Sequence, residues 1–124
     1  MKRRGGFTLI ELLVVLAILG MLLTIVAPRY FNSVDKASEA VLKENLYQLR
    51  DTLDKFYGDQ GHYPSDLNEL VSKRYVRRVP VDPITQSDAT WLVVKASAEQ
   101  GGGVVDVKSG AQGHAQDGSR YASW

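Results

Sequence analysis

A long apolar run near the start of the chain is the strongest pattern in the sequence. It covers residues 7–27, and Glu11 is its single charged side chain. About 20 apolar residues suffice for a helix to cross a bilayer. Fourteen residues of the run are Leu, Ile, Val or Phe, each favouring insertion by roughly 0.3–0.6 kcal/mol, whereas one acid at the helix centre opposes it by roughly 2.5–3.5 kcal/mol. The run therefore predicts a transmembrane helix despite Glu11.

The residues that flank the run predict its orientation. Lys2, Arg3 and Arg4 precede it, and positive residues favour the cytoplasmic side of a membrane. We therefore expect a cytoplasmic N-terminus and a periplasmic remainder. A cleaved secretory signal is the alternative, but its apolar region is about 7–15 residues long and ends at a small-x-small site. This run is longer, and residues 26–28, Val-Ala-Pro, form a poor site of that kind.

The acidic residue inside the run needs an explanation, because an unpartnered carboxylate in apolar surroundings is costly. Residues 4–12 read Arg-Gly-Gly-Phe-Thr-Leu-Ile-Glu-Leu. This segment resembles the class III signal of type IV pilins and type II secretion pseudopilins. The resemblance rests on the basic leader, on Gly6 followed by Phe7, and on Glu11 as the fifth residue after the expected cut.

The resemblance implies a defined processing step and a defined partner for Glu11. A prepilin peptidase would cleave between Gly6 and Phe7, and the new Phe7 amine would be N-methylated. Gly6 suits such a site because a residue without a side chain lets another backbone approach closely. In a fibre, the Glu11 carboxylate would pair with the Phe7 amine of a neighbouring subunit. Since removing either partner of a buried pair is expensive, the pair would specify axial register. Glu11 is thus predicted to be an assembly residue.

An amphipathic helix is predicted beyond the apolar run. Pro28 comes first, and proline inside a helix removes a hydrogen bond, so we expect a kink or local unwinding there; a helix boundary is an equally good interpretation. Apolar residues then recur at spacings of three and four, which indicates a helix with one buried face. We predict one helix over residues 7–57, ended by Gly58 and Gly61. The apolar positions are Val34, Ala37, Val41 or Leu42, Leu46, Leu49, Leu53 and Phe56.

A small β-rich head is predicted after this helix. Ser65 is a suitable N-cap for a second helix ending near Ser72. Residues 79–83, Val-Pro-Val-Asp-Pro, predict a rigid turn. Residues 90–95 and 104–108 are β-rich and are joined through a glycine-rich segment, which is typical of a hairpin. We expect two or three antiparallel strands.

Together these elements predict an α+β protein of pilin-like fold. A long N-terminal spine helix, with an apolar transmembrane half and an amphipathic half, would pack against a small antiparallel sheet. Residues 1–6 would be the prepilin leader and residues 7–27 the transmembrane or fibre-core half. Residues 28–124 would form the periplasmic head, which includes the amphipathic half of the helix to about residue 57.

The resemblance also implies a metal. Residues 109–119 are rich in glycine and small polar residues and predict an irregular loop. Major pseudopilins hold their corresponding loop with a calcium ion, and Asp106, Ser109 and Asp117 are partly similar to that arrangement. Calcium takes six to eight oxygen ligands, which carbonyls of such a loop and Asp117 could begin to supply. A structural calcium site is therefore an expectation.

Composition excludes several other classes of function. The formal charge is +1 without a polybasic tract, so no nucleic-acid partner is expected. There is no cysteine, which excludes disulfides and thiolate nucleophiles and favours a pseudopilin, since many type IV pilins close this loop with a disulfide. No nucleophile, base and orienting residue form a catalytic set. We expect no enzymatic activity.

The predicted function is structural. The chain would polymerise through its N-terminal helix into a pseudopilus that drives type II protein secretion. Its partners would be the prepilin peptidase, other copies of itself, other pseudopilins or pilins, membrane lipid before assembly, and an inner-membrane assembly platform with a cytoplasmic ATPase. The alternatives are a major or minor type IV pilin for adhesion, motility or DNA uptake, and a membrane-anchored binding module that never polymerises.

Overall fold

The computed structural model describes residues 5–124, without the side chains of residues 31, 32 and 34. The predictions that concern Lys2, Arg3, Arg4 and the side chain of Val34 lie outside this description. The chain divides into two compact units, residues 1–35 and residues 36–124. The first unit contains the apolar run, and the second contains the head with its own hydrophobic core.

Helix α1 begins at Leu9 and ends at Gln60. Pro28 lies inside α1, and the helix is continuous on both sides of it. The predictions of local unwinding and of a helix boundary at Pro28 are therefore wrong. Proline removes a single N–H donor, and the remaining hydrogen bonds of a 52-residue helix preserve the helical path around it. A kink at Pro28 stays a prediction.

The C-terminal end of α1 corrects the predicted boundary. Gly58 lies within the helix, and α1 continues to Gln60 instead of ending near Tyr57. Gly61 has a φ of 75°, and its N–H donates to the Tyr57 carbonyl at 2.8 Å. A glycine in the left-handed conformation directly after a helix is a common C-terminal cap. Gly61 ends the helix, whereas Gly58 is tolerated inside it.

Helix α2 spans Leu67–Ser72, close to the predicted position. Its N-cap is Asp66 and not Ser65, because Asp66 has an extended backbone and its Oδ1 accepts from the Glu69 N–H at 2.8 Å. Ser65 lies one residue earlier and donates its own N–H to the Glu69 carboxylate at 2.6 Å. Both residue types cap helices well, so composition alone did not distinguish the two positions.

The predicted hairpin is confirmed. Strand β1 (Leu92–Lys95) pairs antiparallel with β2 (Val104–Lys108) in a sheet of two strands. Leu92 lies opposite Lys108, and the register shifts between Val94 and Lys95. The connection includes a 3-10 turn, Ala98–Gln100, and Gly103, where an added Cβ would lie 2.9 Å from the Cβ and carbonyl oxygen of Tyr63. Only glycine fits at that point of the hairpin.

The core of the head forms around one face of α1. The buried residues of this face follow the predicted spacing of four, three, four and three, which confirms the amphipathic helix from Leu42 to Phe56. Ala37, which was also predicted on this face, is exposed. Residues from α2, β2 and the segment before β1 cover this face. The buried set is Leu42, Leu46, Leu49, Leu53 and Phe56 of α1, with Leu67, Leu70, Trp91, Val104 and Val107.

Two neighbouring positions on α1 test this assignment. Leu42 is fully buried, whereas Val41 is 49% exposed. We expect Leu42→Ala to lower the free energy of unfolding by about 2–5 kcal/mol, because it leaves a cavity in the core. The matched control Val41→Ala should change it by about 0.5 kcal/mol or less. Chemical denaturation of the full chain in detergent micelles measures both, and equal losses for the two variants would contradict the assigned buried face.

Candidate functional site

The apolar stem of α1 presents its side chains outward. Within the first unit, none of the most apolar stretch of the helix is buried, and the helix is long and apolar enough to cross a membrane. Exposed apolar surface on this scale marks a membrane or protein interaction site. The exposed stem residues include Leu12, Leu13, Val14, Val15, Leu16, Ile18, Leu19, Leu22, Leu23, Ile25 and Val26.

Glu11 takes part in a reciprocal cap at the start of α1. Thr8 Oγ1 accepts a hydrogen bond from the Glu11 N–H at 3.2 Å, and Glu11 Oε2 accepts one from the Thr8 N–H at 3.1 Å. This arrangement is a capping box, which satisfies two backbone donors that the helix leaves unpaired. A carboxylate in the first helical turn also interacts favourably with the helix dipole. The Glu11 carboxylate therefore has a local partner in the isolated chain.

The sequence analysis assigned no role to Thr8, which the structure shows to be half of this cap. The signal was present: a Thr three residues before a Glu, ahead of an apolar run, is the sequence pattern of a capping box. Glu11 Oε2 is the oxygen that caps. Among the described residues, the Thr8 N–H bonds to Oε2 and not to Oε1.

The predicted cleavage position lies directly before this cap. Residues 5–8 have no regular secondary structure, and beyond Gly6 and its two chain neighbours no described heavy atom lies within 4 Å of the position that a Gly6 Cβ would take. Phe7 is 93% exposed. Phe7, Ile10, Glu11, Val14 and Val15 line one shallow groove on the helix. The Gly6–Phe7 peptide bond is thus accessible. The carboxylate of Glu11 lies beside Phe7, and cleavage would release the Phe7 amine. Cleavage and N-methylation stay predictions.

The three residues expected to bind calcium have other partners. Asp106 Oδ1 accepts from Arg50 Nε and from the Val107 N–H, both at 2.8 Å. Ser109 is fully buried, and its hydroxyl donates to Asp82 Oδ2 at 2.5 Å. Asp106 and Ser109 are thus hydrogen-bonded to different groups of the protein.

Asp117 forms a separate local turn. Its Oδ1 accepts from the Ser119 hydroxyl at 2.5 Å and from the Ser119 N–H at 2.9 Å. These two hydrogen bonds hold the pKa of Asp117 below its usual value, and the bond from the hydroxyl has the larger effect. Within the described part of the chain, no three His, Cys, Asp or Glu side chains cluster in a way that could hold a metal ion. The arrangement of Asp106, Ser109 and Asp117 does not fit calcium.

A buried carboxylate that the sequence did not single out organises the segment before β1. Asp82 is fully buried. Its Oδ1 accepts from the N–H groups of Ile84 and Thr85, at 2.8 and 3.3 Å, and its Oδ2 accepts from Ser109. A buried charge needs such donors. Asp82 therefore ties the proline-rich turn to the segment that follows β2.

The same turn is attached to α1 and to the core. Asn45 Nδ2 donates to the Val81 carbonyl at 3.0 Å, and Trp91 Nε1 donates to the Pro80 carbonyl at 2.7 Å. Asn45 belongs to α1, and Trp91 is a core residue. The predicted rigid turn is thus a structural part of the head, held from both sides.

Comparisons with known proteins agree with the geometry of the stem. Residues 1–27 match the model of the prokaryotic N-terminal methylation motif. The type II secretion system core protein G of Klebsiella pneumoniae is 34% identical over an alignment that covers 67% of this chain and 71% of that protein. This chain belongs to the core protein G family, the major pseudopilins. The proteins of the same name from Aeromonas hydrophila and Pseudomonas aeruginosa are 32% and 34% identical, over 66% of this chain and 68% and 69% of their own lengths.

No solved structure matches this pseudopilin. The α+β pilin-like arrangement is confirmed by the long N-terminal helix and the antiparallel hairpin.

The buried carboxylate of this pseudopilin can be tested against an exposed one nearby. Asp82→Ala leaves the N–H groups of Ile84 and Thr85 and the Ser109 hydroxyl without their acceptor. Leaving buried donors unsatisfied costs about 1–3 kcal/mol for each group, so the free energy of unfolding should fall by at least about 2 kcal/mol. Asp88→Ala is the matched control, because Asp88 is exposed. Thermal or urea unfolding measures both, and a neutral Asp82→Ala would refute the structural role of this carboxylate.

Proposed function

We propose that this chain is a structural subunit that polymerises through its N-terminal helix into a pseudopilus driving type II protein secretion. The observation that carries the proposal is the exposed apolar stem with a self-capped Glu11 directly after an accessible Gly6–Phe7 bond. Membership of the core protein G family, whose named members are secretion-system proteins, supports the same function. The role is structural and not enzymatic.

Processing comes first in the proposed sequence of events. A prepilin peptidase removes residues 1–6, and the new Phe7 amine is N-methylated; the match to the N-terminal methylation motif supports both steps. Until assembly, the stem anchors the subunit in the inner membrane, with the N-terminus on the cytoplasmic side and the head in the periplasm. The basic residues of the leader support this orientation.

Assembly then moves the stem from lipid into the fibre core. The Glu11 carboxylate accepts from its own Thr8 N–H through one oxygen, which leaves the other for the Phe7 amine of the next subunit. In apolar surroundings, a charge that lacks its partner costs much free energy. The pair therefore favours the one axial register of the subunits in which both partners meet. The other partners are copies of this chain, other pseudopilins, and the membrane assembly platform with its cytoplasmic ATPase.

Deletion of this protein in its host separates the proposed function from the alternatives. We expect the secreted proteins to disappear from the medium while other surface fibres remain, and the wild-type chain to restore secretion. Loss of surface fibres with intact secretion would indicate a type IV pilin instead. Unchanged secretion and unchanged fibres would leave only a membrane-anchored binding module.

The processing step is tested by two adjacent glycines. Gly6→Leu places a large side chain at the residue whose backbone the peptidase must approach. We expect this variant to retain residues 1–6 and to fail to restore secretion. Gly5→Ala is the control and should be processed normally, because it adds one methyl group at a position where no described atom beyond its chain neighbours lies within 4 Å. The intact mass of the extracted protein reports the start of the chain, and a Gly6→Leu chain that begins at Phe7 would overturn the assigned site.

A further inference from the structure

The polar side of α1 in the head contacts the C-terminal segment of the chain. Glu39, Lys43 and Arg50 lie on this side at spacings of four and seven, which places them along one face of a helix. Their partners all lie within residues 106–124. These contacts are separate from the stem and do not depend on polymerisation.

Arg50 makes the central contact. Its Nε donates to Asp106 Oδ1 at 2.8 Å, and its Nη2 donates to the carbonyl oxygens of Val107 at 3.0 Å and Trp124 at 2.6 Å. One guanidinium thus binds Asp106 and Val107 at the start of the C-terminal segment and Trp124 at its end. This is the kind of oxygen set that a bound cation gathers. The planar fork of arginine suits such simultaneous contacts.

Glu39 and Lys43 hold the middle and the end of the same segment. Glu39 Oε1 accepts from the Gln116 N–H at 2.9 Å and from the Tyr121 hydroxyl at 3.0 Å. The Lys43 ammonium lies 4.5 Å from the centre of the Trp124 ring, a cation–π distance. The Trp124 indole N–H donates to the Ser119 hydroxyl at 2.7 Å. Gln116, Tyr121 and Trp124 of the segment are therefore all held by side chains of α1.

We propose that in this pseudopilin Arg50 takes the place of the calcium ion that the resemblance to major pseudopilins implies, so that the head folds without a bound metal. The donor set carries this inference. Asp106 is bonded to a guanidinium, and a calcium ion at Asp106 would have to displace Arg50 or lie beside its positive charge. Ser109 is committed to the buried Asp82, and Asp117 to Ser119.

The first test needs no substitution. The full chain, purified in detergent micelles, is unfolded by heat in EGTA, in calcium and in magnesium, with tryptophan fluorescence as the readout. A structural calcium would stabilise the folded state by mass action and raise Tm with calcium concentration. We expect the same Tm under all three conditions and no heat of calcium binding in calorimetry. A saturable rise in Tm with calcium that magnesium does not reproduce would overturn the proposal.

The second test removes the guanidinium. We expect Arg50→Gln to lower Tm by about 5 °C or more and to speed amide hydrogen exchange over residues 107–124. The Tm of Arg50→Lys should lie between those of the wild type and Arg50→Gln, because an ammonium cannot hold all three acceptors in one plane. Arg78→Gln, at an exposed arginine, is the matched control and should behave as the wild type.

Exchange within α1 shows whether the Arg50→Gln head is still folded, so that faster exchange over residues 107–124 can be assigned to that segment alone. Unchanged exchange over residues 107–124 and an unchanged Tm in Arg50→Gln would contradict the proposal. Recovery of the Arg50→Gln Tm by calcium is not expected, since the remaining oxygens come from too few acidic groups.

Discussion

The carboxylate of Glu11 lies in a segment whose surroundings are otherwise apolar, and it cannot lie there without hydrogen-bond donors. In the isolated chain the Thr8 N–H supplies one, at the helix N-terminus, where negative charge is most favourable. This local cap lets the stem remain a membrane helix. It also keeps the carboxylate beside Phe7, where the proposed fibre requires it. The same residue thus serves two environments with different partners.

The amphipathic half of α1 has two structural roles, one for each face. Its apolar face, from Leu42 to Phe56, is covered by α2, β2 and Trp91 and forms the core. Its polar face, through Glu39, Lys43 and Arg50, holds the C-terminal segment. Side chains that a helical-wheel argument would assign to solvent are therefore part of the fold. A head with a small core gains much of its order from such contacts.

Periodic features of the sequence predicted the architecture well. The spacing of Leu42, Leu46 and Leu49 indicated the buried face, and the β-rich runs around a glycine-rich connection indicated the hairpin. Local chemistry was harder to place. Gly58 remains helical because one glycine costs only about 1 kcal/mol in a helix, and Asp66 caps α2 because Asp and Ser are nearly equivalent caps.

Contacts between distant parts of the sequence were not predictable. Arg50 and Asp106 are 56 positions apart, and Asp82 and Ser109 are 27 apart. No local pattern indicates that either pair meets. Asp106, Ser109 and Asp117 are close in sequence, but each is hydrogen-bonded to a different partner, which the sequence does not indicate either. Thr8, in contrast, carried a local signal that could have been found.

The most direct test of the account replaces Glu11 and measures fibre formation. Glu11→Ala and the control Thr24→Ala are expressed in the deletion host. Thr24 is a suitable control because its hydroxyl donates to the Met21 carbonyl of its own helix at 2.6 Å. Fibres sheared from cells that overproduce each variant are then quantified, together with the membrane-bound subunit. We predict that Glu11→Ala is processed and stays in the membrane without forming fibres, whereas Thr24→Ala assembles as the wild type does. Normal fibres from Glu11→Ala subunits would contradict the account.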